Sequence, residues 1–252
     1  MLQKEEIIEL MHKNGVELDL HHGSASTIKT MYQCPFKQLC KMIKAPKGPT
    51  EMAHINFGSA THEFIEKYYK GDNYKNMDAD AMRVALSKIV KPLTKKKLEP
   101  TIANFFEWER AHNKLEHRHE LQMEKGFMLY LDDDLPPIKG FIDLFDPVMG
   151  HIVDWKTGTG RDFFEYGKPY PFDYYVQGLT YSIVKKREGY DIKTIEFPFL
   201  PTGRSGFVPP TVDDDWLLGV WRTMMWYIRN GVFARNRGPL CPWCEYREHC
   251  EE

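Results

Sequence analysis

The chain has 252 residues, and its 34 Lys and Arg against 36 Asp and Glu give a formal net charge of −2. This balance excludes a polybasic nucleic-acid coat, whose affinity comes from bulk positive charge, although a local basic groove remains compatible with it. Hydrophobic residues make up 42% and charged residues 28% of the chain, which is typical of a globular protein and not of a disordered one. No apolar run approaches the ~18 residues of a membrane helix. The N-terminus also lacks the apolar segment of a secretory signal, so we expect a cytoplasmic protein.

Helical spacing dominates the first 120 residues. Apolar residues recur every three or four positions, and Ser24 or Ser26 can cap a helix that runs into Tyr32. The basic stretch KPLTKKK (91–97) separates the last two predicted helices. Apart from the one ending at Tyr32, the predicted helices cover 4–13, 57–72, 78–93 and 100–119.

The pattern changes to strands near Leu121. Three successive runs of alternating residues are followed by a helical pattern, another strand and a long amphipathic helix whose first turn is acidic. The predicted strands cover 121–131, 136–147, 150–158 and 193–200, and the predicted helices cover 171–189 and 212–231. Helices, three strands, a crossover helix and one more strand predict an α/β fold with a helical N-terminal region.

The stretch IKGFIDLFDPVMGHIVDWKTG (138–158) concentrates charge in a predicted hairpin. A turn centred between residues 148 and 149 places Asp143 directly opposite Asp154. Lys156 is two residues further along and therefore lies on the same face. The residues predicted for the opposite, buried face are Ile142, Leu144, Val153 and Trp155.

Two facing carboxylates repel each other, and a divalent cation between them removes that repulsion. Mg²⁺ and Mn²⁺ favour oxygen ligands, and Mg²⁺ typically binds one or two carboxylates together with waters and phosphates. An adjacent lysine can orient a water or stabilise charge that develops on a phosphate. The alternative is a solvated hairpin in which Lys156 bridges two surface aspartates, and the spacing is compatible with both.

Three of the five cysteines lie close together near the C-terminus. Cys241 and Cys244 form a C-x₂-C pair, and Cys250 follows after five residues, which indicates a metal or cluster site. A fourth thiolate would come from Cys34 or Cys40. Four thiolates suit either Zn²⁺ or an iron–sulfur cluster, and the spacing leaves both open.

The hairpin motifs resemble those of the PD-(D/E)XK nuclease superfamily, in its RecB-like branch. GFID (140–143) resembles the G-x-x-D motif of that branch, and DWKTG (154–158) resembles its D-x-K-T-G motif. Gln177 and Tyr181 match the Q-x-x-x-Y motif on the following helix, where a spacing of four places them on one face.

The resemblance extends upstream. GSATHEFIE (58–66) resembles the helix that supplies a histidine ligand, here His62. The resemblance implies a restriction-endonuclease-like core, which is a mixed central sheet flanked by helices. It implies a bound Mg²⁺ or Mn²⁺ with Asp143 and Asp154 as ligands, His62 as an additional ligand and the Trp155 carbonyl as another.

The resemblance also implies roles for the neighbouring residues. Lys156 assists the nucleophilic water, and Gln177 and Tyr181 position the catalytic groups or contact DNA. Glu124 resembles an acidic residue that is often seen in the strand before GFID, and Glu120 competes with it for that role.

RecB-like nucleases with iron–sulfur clusters, including the AddB type and the CRISPR-associated exonucleases, have an early cysteine and then C-x₂-C-x₅-C near the end. The early cysteine commonly precedes a proline, as Cys34 precedes Pro35, so the resemblance favours Cys34 over Cys40. It implies a structural 4Fe–4S cluster that joins the two ends of the chain. The implied ligands are Cys34, Cys241, Cys244 and Cys250.

The predicted organisation is one compact unit with three parts. These are a mainly helical region (1–120) that contributes Cys34 and His62, a nuclease core (121–210), and a C-terminal helix with the iron–sulfur region (211–252). Lysine-rich segments, including 91–97, are available for contacts with phosphates, unless they are ordinary solvated helix ends.

The implied function is that of a metal-dependent DNA exonuclease acting on single-stranded or end-processed DNA. The implied setting is recombination, repair, phage DNA metabolism or CRISPR adaptation in a bacterial, archaeal or phage-infected cell. Helicase, recombination or CRISPR adaptation proteins are the implied partners, with no membrane. The alternative is a non-catalytic DNA-end-binding subunit with a vestigial nuclease site.

Overall fold

The structure is a computed structural model that describes residues 9, 11–13, 15, 17–48, 53–164, 170–238 and 241–251. The helix predicted over 4–13 lies largely outside these residues. The helices in the described residues are α1 (Ala25–Gln33), α2 (Pro35–Met42), α3 (Ala53–Lys70), α4 (Ala79–Ser87), α5 (Pro92–His112), α6 (Arg161–Phe164), α7 (Phe172–Arg187), α8 (Asp214–Arg229) and α9 (Glu248–Glu251). None of them is long and apolar enough to cross a membrane.

Each of the four predicted strands contains one strand of a five-stranded mixed sheet. Its strands are β1 (Gln122–Leu129), β2 (Ile138–Asp146), β3 (His151–Val153), β4 (Thr194–Phe199) and β5 (Arg204–Val208), hydrogen-bonded in that order. β3 and β4 are parallel, whereas β2 pairs with β3 and β4 pairs with β5 in antiparallel fashion. A parallel pair requires a crossover connection, and α7 lies in the one between β3 and β4. The predicted α/β fold with a mixed sheet and flanking helices is therefore confirmed.

The chain divides into two compact units. One unit consists of Met1–Thr50, Met128–Gly140 and Asp213–Glu252, and the other of Glu51–Phe127 and Phe141–Val212. The first unit contains all five cysteines. The second contains His62, Glu124 and all the residues predicted from the hairpin and from the Q-x-x-x-Y motif. The three-part division over 1–120, 121–210 and 211–252 remains a prediction.

Strands β2 and β3 pair in the predicted register. Leu144 is opposite Val153 and Phe145 is opposite Ile152, as a turn centred between residues 148 and 149 requires. β3 ends earlier than predicted, at Val153, although the chain beyond it stays hydrogen-bonded to β4. The Lys156 amide, for example, donates to the Pro198 carbonyl oxygen at 2.8 Å.

Two apolar clusters pack around this hairpin. Leu144, Val153 and Trp155 belong to the first cluster, as predicted. Ile142 does not join them, because it packs in a second cluster together with Phe145. These two residues are three positions apart on one strand yet contact the same cluster, so the strict two-residue alternation is interrupted between them.

Other boundaries differ from the sequence pattern for local reasons. α3 begins at Ala53, so Gly58 lies inside this helix instead of starting it. α5 includes the basic stretch predicted as a separator, because Pro92 occupies its first turn, where a missing amide costs nothing. The sequence pattern did not predict α2, β5 or the four-residue helices α6 and α9. β5 is only five residues long and depends on pairing with β4.

Candidate metal centre

Three side chains with ligand atoms for a cation come together in the unit that contains Phe141–Val212. His62 comes from α3, Glu124 from β1 and Asp143 from β2, and one ligand atom of each lies within 4.8 Å of the others. The Nδ1 atom of His62 is 3.3 Å from Oδ2 of Asp143 and 4.0 Å from Oε1 of Glu124. Two carboxylates and one imidazole form a donor set compatible with Mn²⁺ and Mg²⁺. These residues therefore fit a divalent cation.

Glu124 reaches this group from an unusual backbone conformation. Its φ angle is 48° within strand β1, in the left-handed region that a non-glycine residue adopts at a cost of about 1–3 kcal/mol. Glu120, the competing acid, is exposed in the turn before β1. The structure thus brings Glu124, and not Glu120, to the group.

The electrostatics of the group reflect unbalanced negative charge. Burial and then the neighbouring Asp143 raise the pKa of Glu124 to about 7. Burial lowers the pKa of His62, but attraction and hydrogen bonding to Asp143 outweigh it and raise that pKa to about 9. At neutral pH His62 is therefore an imidazolium ion that partly neutralises the carboxylates, and a cation must displace its proton.

Asp154 lies beside the three-residue group and is not part of it. Its Oδ2 atom accepts hydrogen bonds from Gln177 Nε2 at 2.6 Å and from the Tyr181 hydroxyl at 2.9 Å, and its Oδ1 atom contacts the Lys156 ammonium group. These partners occupy both carboxylate oxygens. Burial and the nearby charge of Asp143 raise the pKa of Asp154.

The observed group contains two of the predicted ligands, His62 and Asp143, together with Glu124, which was predicted as an additional acid. A ligand role for Asp154 remains a prediction. Asp143 is tied to the segment after β3 by a different contact, since its Oδ2 atom accepts the Trp155 amide hydrogen at 2.9 Å. The Trp155 side chain is buried and stacks on Tyr69, with ring centroids 5.9 Å apart. A ligand role for the Trp155 carbonyl remains a prediction.

Lys156 and the helix α7 complete the surroundings of Asp154. The Lys156 ammonium donates to Gln177 Oε1 at 3.2 Å. Gln177 and Tyr181 project from the same face of α7, as their spacing predicts. Between them, Gly178 packs so closely on β5 that a Cβ atom there would lie 2.3 Å from Val208. This close contact fixes α7 and thereby the position of both side chains.

Glu196 on β4 is a buried acid that the sequence reading missed. Its Oε1 atom accepts hydrogen bonds from Trp108 Nε1 at 2.8 Å and Ser205 Oγ at 2.5 Å, and its Oε2 atom is 3.0 Å from His151 Nε2. Its carbonyl oxygen also accepts the Asp154 amide hydrogen at 3.0 Å. The signal was a single acid within the apolar strand TIEFPF.

The cysteines lie in the other unit. Cys40 is buried, whereas the other four line one open pocket of about 860 Å³. Within the described residues no three cysteine sulfurs lie within 4.8 Å of one another. They come from separate elements around the pocket, namely the start of α2, the short 3₁₀ helix Cys241–Trp243 with the residue after it, and α9. The described cysteine sulfurs therefore do not form a compact group, and the predicted 4Fe–4S cluster, which this geometry does not show, remains a prediction.

Together, the fold and the site define an α/β protein in which side chains that could hold a cation lie beside a buried aspartate bonded to a lysine. Residues 22–251 match the family model of the PD-(D/E)XK nuclease superfamily. Because this match spans most of the chain, the protein belongs to that superfamily, whose members are typically metal-dependent nucleases. A comparison with curated proteins gave no match.

Proposed function

We propose that the protein is a metal-dependent DNA exonuclease of the RecB-like branch that hydrolyses phosphodiester bonds. The observation that carries this proposal is the arrangement of two adjoining groups. His62, Glu124 and Asp143 can hold a cation, and Asp154 lies beside them, buried and bonded to Lys156 and Gln177. A carboxylate group for a divalent cation next to a fixed lysine suits attack of water on a phosphodiester.

Mg²⁺ or Mn²⁺ at this site would neutralise charge on the phosphate and activate the attacking water. The protein's own groups orient the reactants. The Lys156 ammonium is held between Asp154 and Gln177, where it can orient a water or stabilise phosphate charge. Burial and the Asp154 charge raise the pKa of Tyr181, so Tyr181 keeps its proton and remains a donor to Asp154.

We place this activity on single-stranded or end-processed DNA in recombination, repair, phage DNA metabolism or CRISPR adaptation. Helicase, recombination or CRISPR adaptation proteins would act with it. The support is the resemblance of GFID (140–143) and DWKTG (154–158) to the RecB-like motifs.

The direct test is digestion of linear DNA labelled separately at each end, single-stranded and duplex, with Mg²⁺ or Mn²⁺ and with a chelator. We expect progressive loss of DNA from an end with either metal and none with the chelator. Cleavage of circular DNA at the same rate would contradict an exonuclease. Tight binding to ends without metal-dependent cleavage would instead favour the non-catalytic DNA-end-binding subunit.

We also propose that the cysteine pocket binds a 4Fe–4S cluster through Cys34, Cys241, Cys244 and Cys250. The support is that these four cysteines line the same pocket. Each cysteine sulfur of a 4Fe–4S cluster binds a different iron, so four ligand sulfurs spread around one pocket suit it.

Anaerobically purified protein should be brown and contain iron and sulfide. Cys34→Ser should lose the colour, and Cys40→Ser, the matched control, should keep it. Colourless protein with one Zn²⁺ per chain would contradict the cluster.

A further inference from the structure

Lys97 on α5 is a partly buried lysine next to the segment that follows Lys156. Its ammonium donates to the Thr157 carbonyl oxygen at 3.3 Å and lies 3.5 Å from Nδ1 of His54. Burial lowers the pKa of Lys97. Among the described residues no carboxylate oxygen lies within 4.0 Å of this ammonium, so no described acid balances its charge.

Two other buried lysines of this chain are balanced by acids. The Lys114 ammonium is 2.7 Å from Asp146 Oδ2, and that of Lys185 is 2.9 Å from Glu188 Oε2. A desolvated cation without an acidic partner is costly unless an anion binds to it. Lys97 differs from both in having no described acid beside its ammonium, which points to an anionic ligand.

The position of Lys97 is fixed by contacts on both sides. Asn104 lies two turns further along α5, on the same face, and donates to the Leu200 carbonyl oxygen at 2.6 Å. On the other side, α3 packs against Thr157, since a Cβ atom at Gly58 would lie 3.1 Å from Thr157 Oγ1. The contacts of α5 with Thr157 and Leu200 thus position the Lys97 ammonium without a ligand.

Two neighbours of Lys97 and Thr157 border open space. A Cβ atom at Gly158 would meet no other atom within 4 Å, and His54 is exposed. Thr157 directly follows Lys156, and consecutive Cα atoms are about 3.8 Å apart. An anion at Lys97 would therefore lie beside the segment that carries Lys156.

We propose that Lys97, assisted by His54, binds a phosphate group of the DNA next to the phosphodiester that is cleaved. This inference rests on the proposed nuclease function and adds a binding residue outside the recognised motifs. A lysine ammonium binds phosphate as a point charge, and such contacts position a nucleic acid without reading its sequence.

The test is the salt dependence of DNA binding by the full chain in chelator, where cleavage does not interfere. Lys97→Gln keeps a donor for the Thr157 carbonyl but removes the charge. Lys95→Gln is the matched control, since Lys95 is exposed and residues two apart face different sides of a helix. We expect Lys97→Gln to weaken binding by about tenfold. It should also reduce the slope of log affinity against log salt by about one.

Lys97→Arg should preserve affinity and slope, because the charge remains. DNA ending in a phosphate and DNA ending in a hydroxyl form two arms of the experiment. If Lys97→Gln loses the same affinity for both DNAs, the bound group is a backbone phosphate. If it loses affinity only for DNA ending in a phosphate, the bound group is the terminal phosphate. Wild-type affinity and slope in Lys97→Gln, or equal losses in Lys97→Gln and Lys95→Gln, would overturn this inference alone. Wild-type protein that neither binds nor cleaves DNA would overturn the nuclease proposal with it.

Discussion

Asp154→Asn is expected to lower the rate of DNA cleavage by about 10³–10⁴-fold. Both oxygens of Asp154 accept contacts from donors, which are Lys156, Gln177 and Tyr181. An asparagine would place its own amide donor against at least one of them and would remove the charge that holds the Lys156 ammonium. The measurement is the initial rate on end-labelled DNA at saturating Mn²⁺.

The fold should survive this substitution. Burial and repulsion from Asp143 raise the pKa of Asp154, so a neutral residue of the same shape relieves an unfavourable charge. The lost contacts with Lys156, Gln177 and Tyr181 act in the opposite direction, so we expect a melting temperature within a few degrees of wild type for Asp154→Asn. The exposed Asp133 offers the matched control, and Asp133→Asn should retain full activity. A rate for Asp154→Asn within threefold of wild type would contradict the assigned role.

Glu124→Gln should lower cleavage by about 10²–10³-fold at limiting Mn²⁺, because one of the two grouped carboxylates loses its charge. Glu120→Gln is the matched control, since Glu120 is the nearby acid that lies exposed outside the group. The comparison separates the two acids directly. Equal rates for these two variants would show that Glu124 does not bind the cation.

The same substitution should stabilise the metal-free protein. Burial and Asp143 raise the pKa of Glu124 to about 7, so its ionisation disfavours the folded state, and Glu124→Gln should raise the melting temperature by about 2–4 °C at pH 8. A lower melting temperature would mean that the Glu124 carboxylate stabilises the fold.

The pH dependence follows from the direction of these shifts. Folding raises the pKa of Glu124 from 4.5 to about 7 and the pKa of His62 from 6.5 to about 9. Between these pH values the folded protein keeps a proton that the unfolded chain has lost. The folded protein therefore binds more protons than the unfolded chain, and metal-free stability should fall as pH rises through both windows. In thermal melts, Glu124→Gln should weaken the fall of the melting temperature between about pH 4.5 and 7. Mn²⁺ should stabilise the wild type more at pH 8 than at pH 6, because fewer protons must be displaced.

Local patterns predicted much of the structure around the site. The turn residues set the pairing of β2 with β3, and a spacing of four placed Gln177 and Tyr181 on one face of α7. Both follow from periods of two and 3.6 residues, which depend only on neighbouring positions. The mixed sheet with a crossover helix followed from the order of those elements.

Other features depended on contacts between distant segments. The choice of Glu124 over Glu120 rests on a φ angle of 48°, which no local preference of glutamate predicts. The separation of Ile142 from Leu144 required an interrupted alternation that the apolar pattern does not reveal. The separation of the cysteine sulfurs around their pocket depends likewise on how distant elements pack.

By itself, the sequence determined the α/β class, the hairpin register and the set of chemical groups available to the site. Only the tertiary structure decided how those groups divide, with Glu124 joining His62 and Asp143 while Asp154 bonds to Lys156 and α7. It also placed Lys97 beside Thr157, 60 residues away in the chain. The physical reason is that hydrogen bonds, burial and charge act between atoms that are close in space, and periodicity describes only residues that are close in sequence.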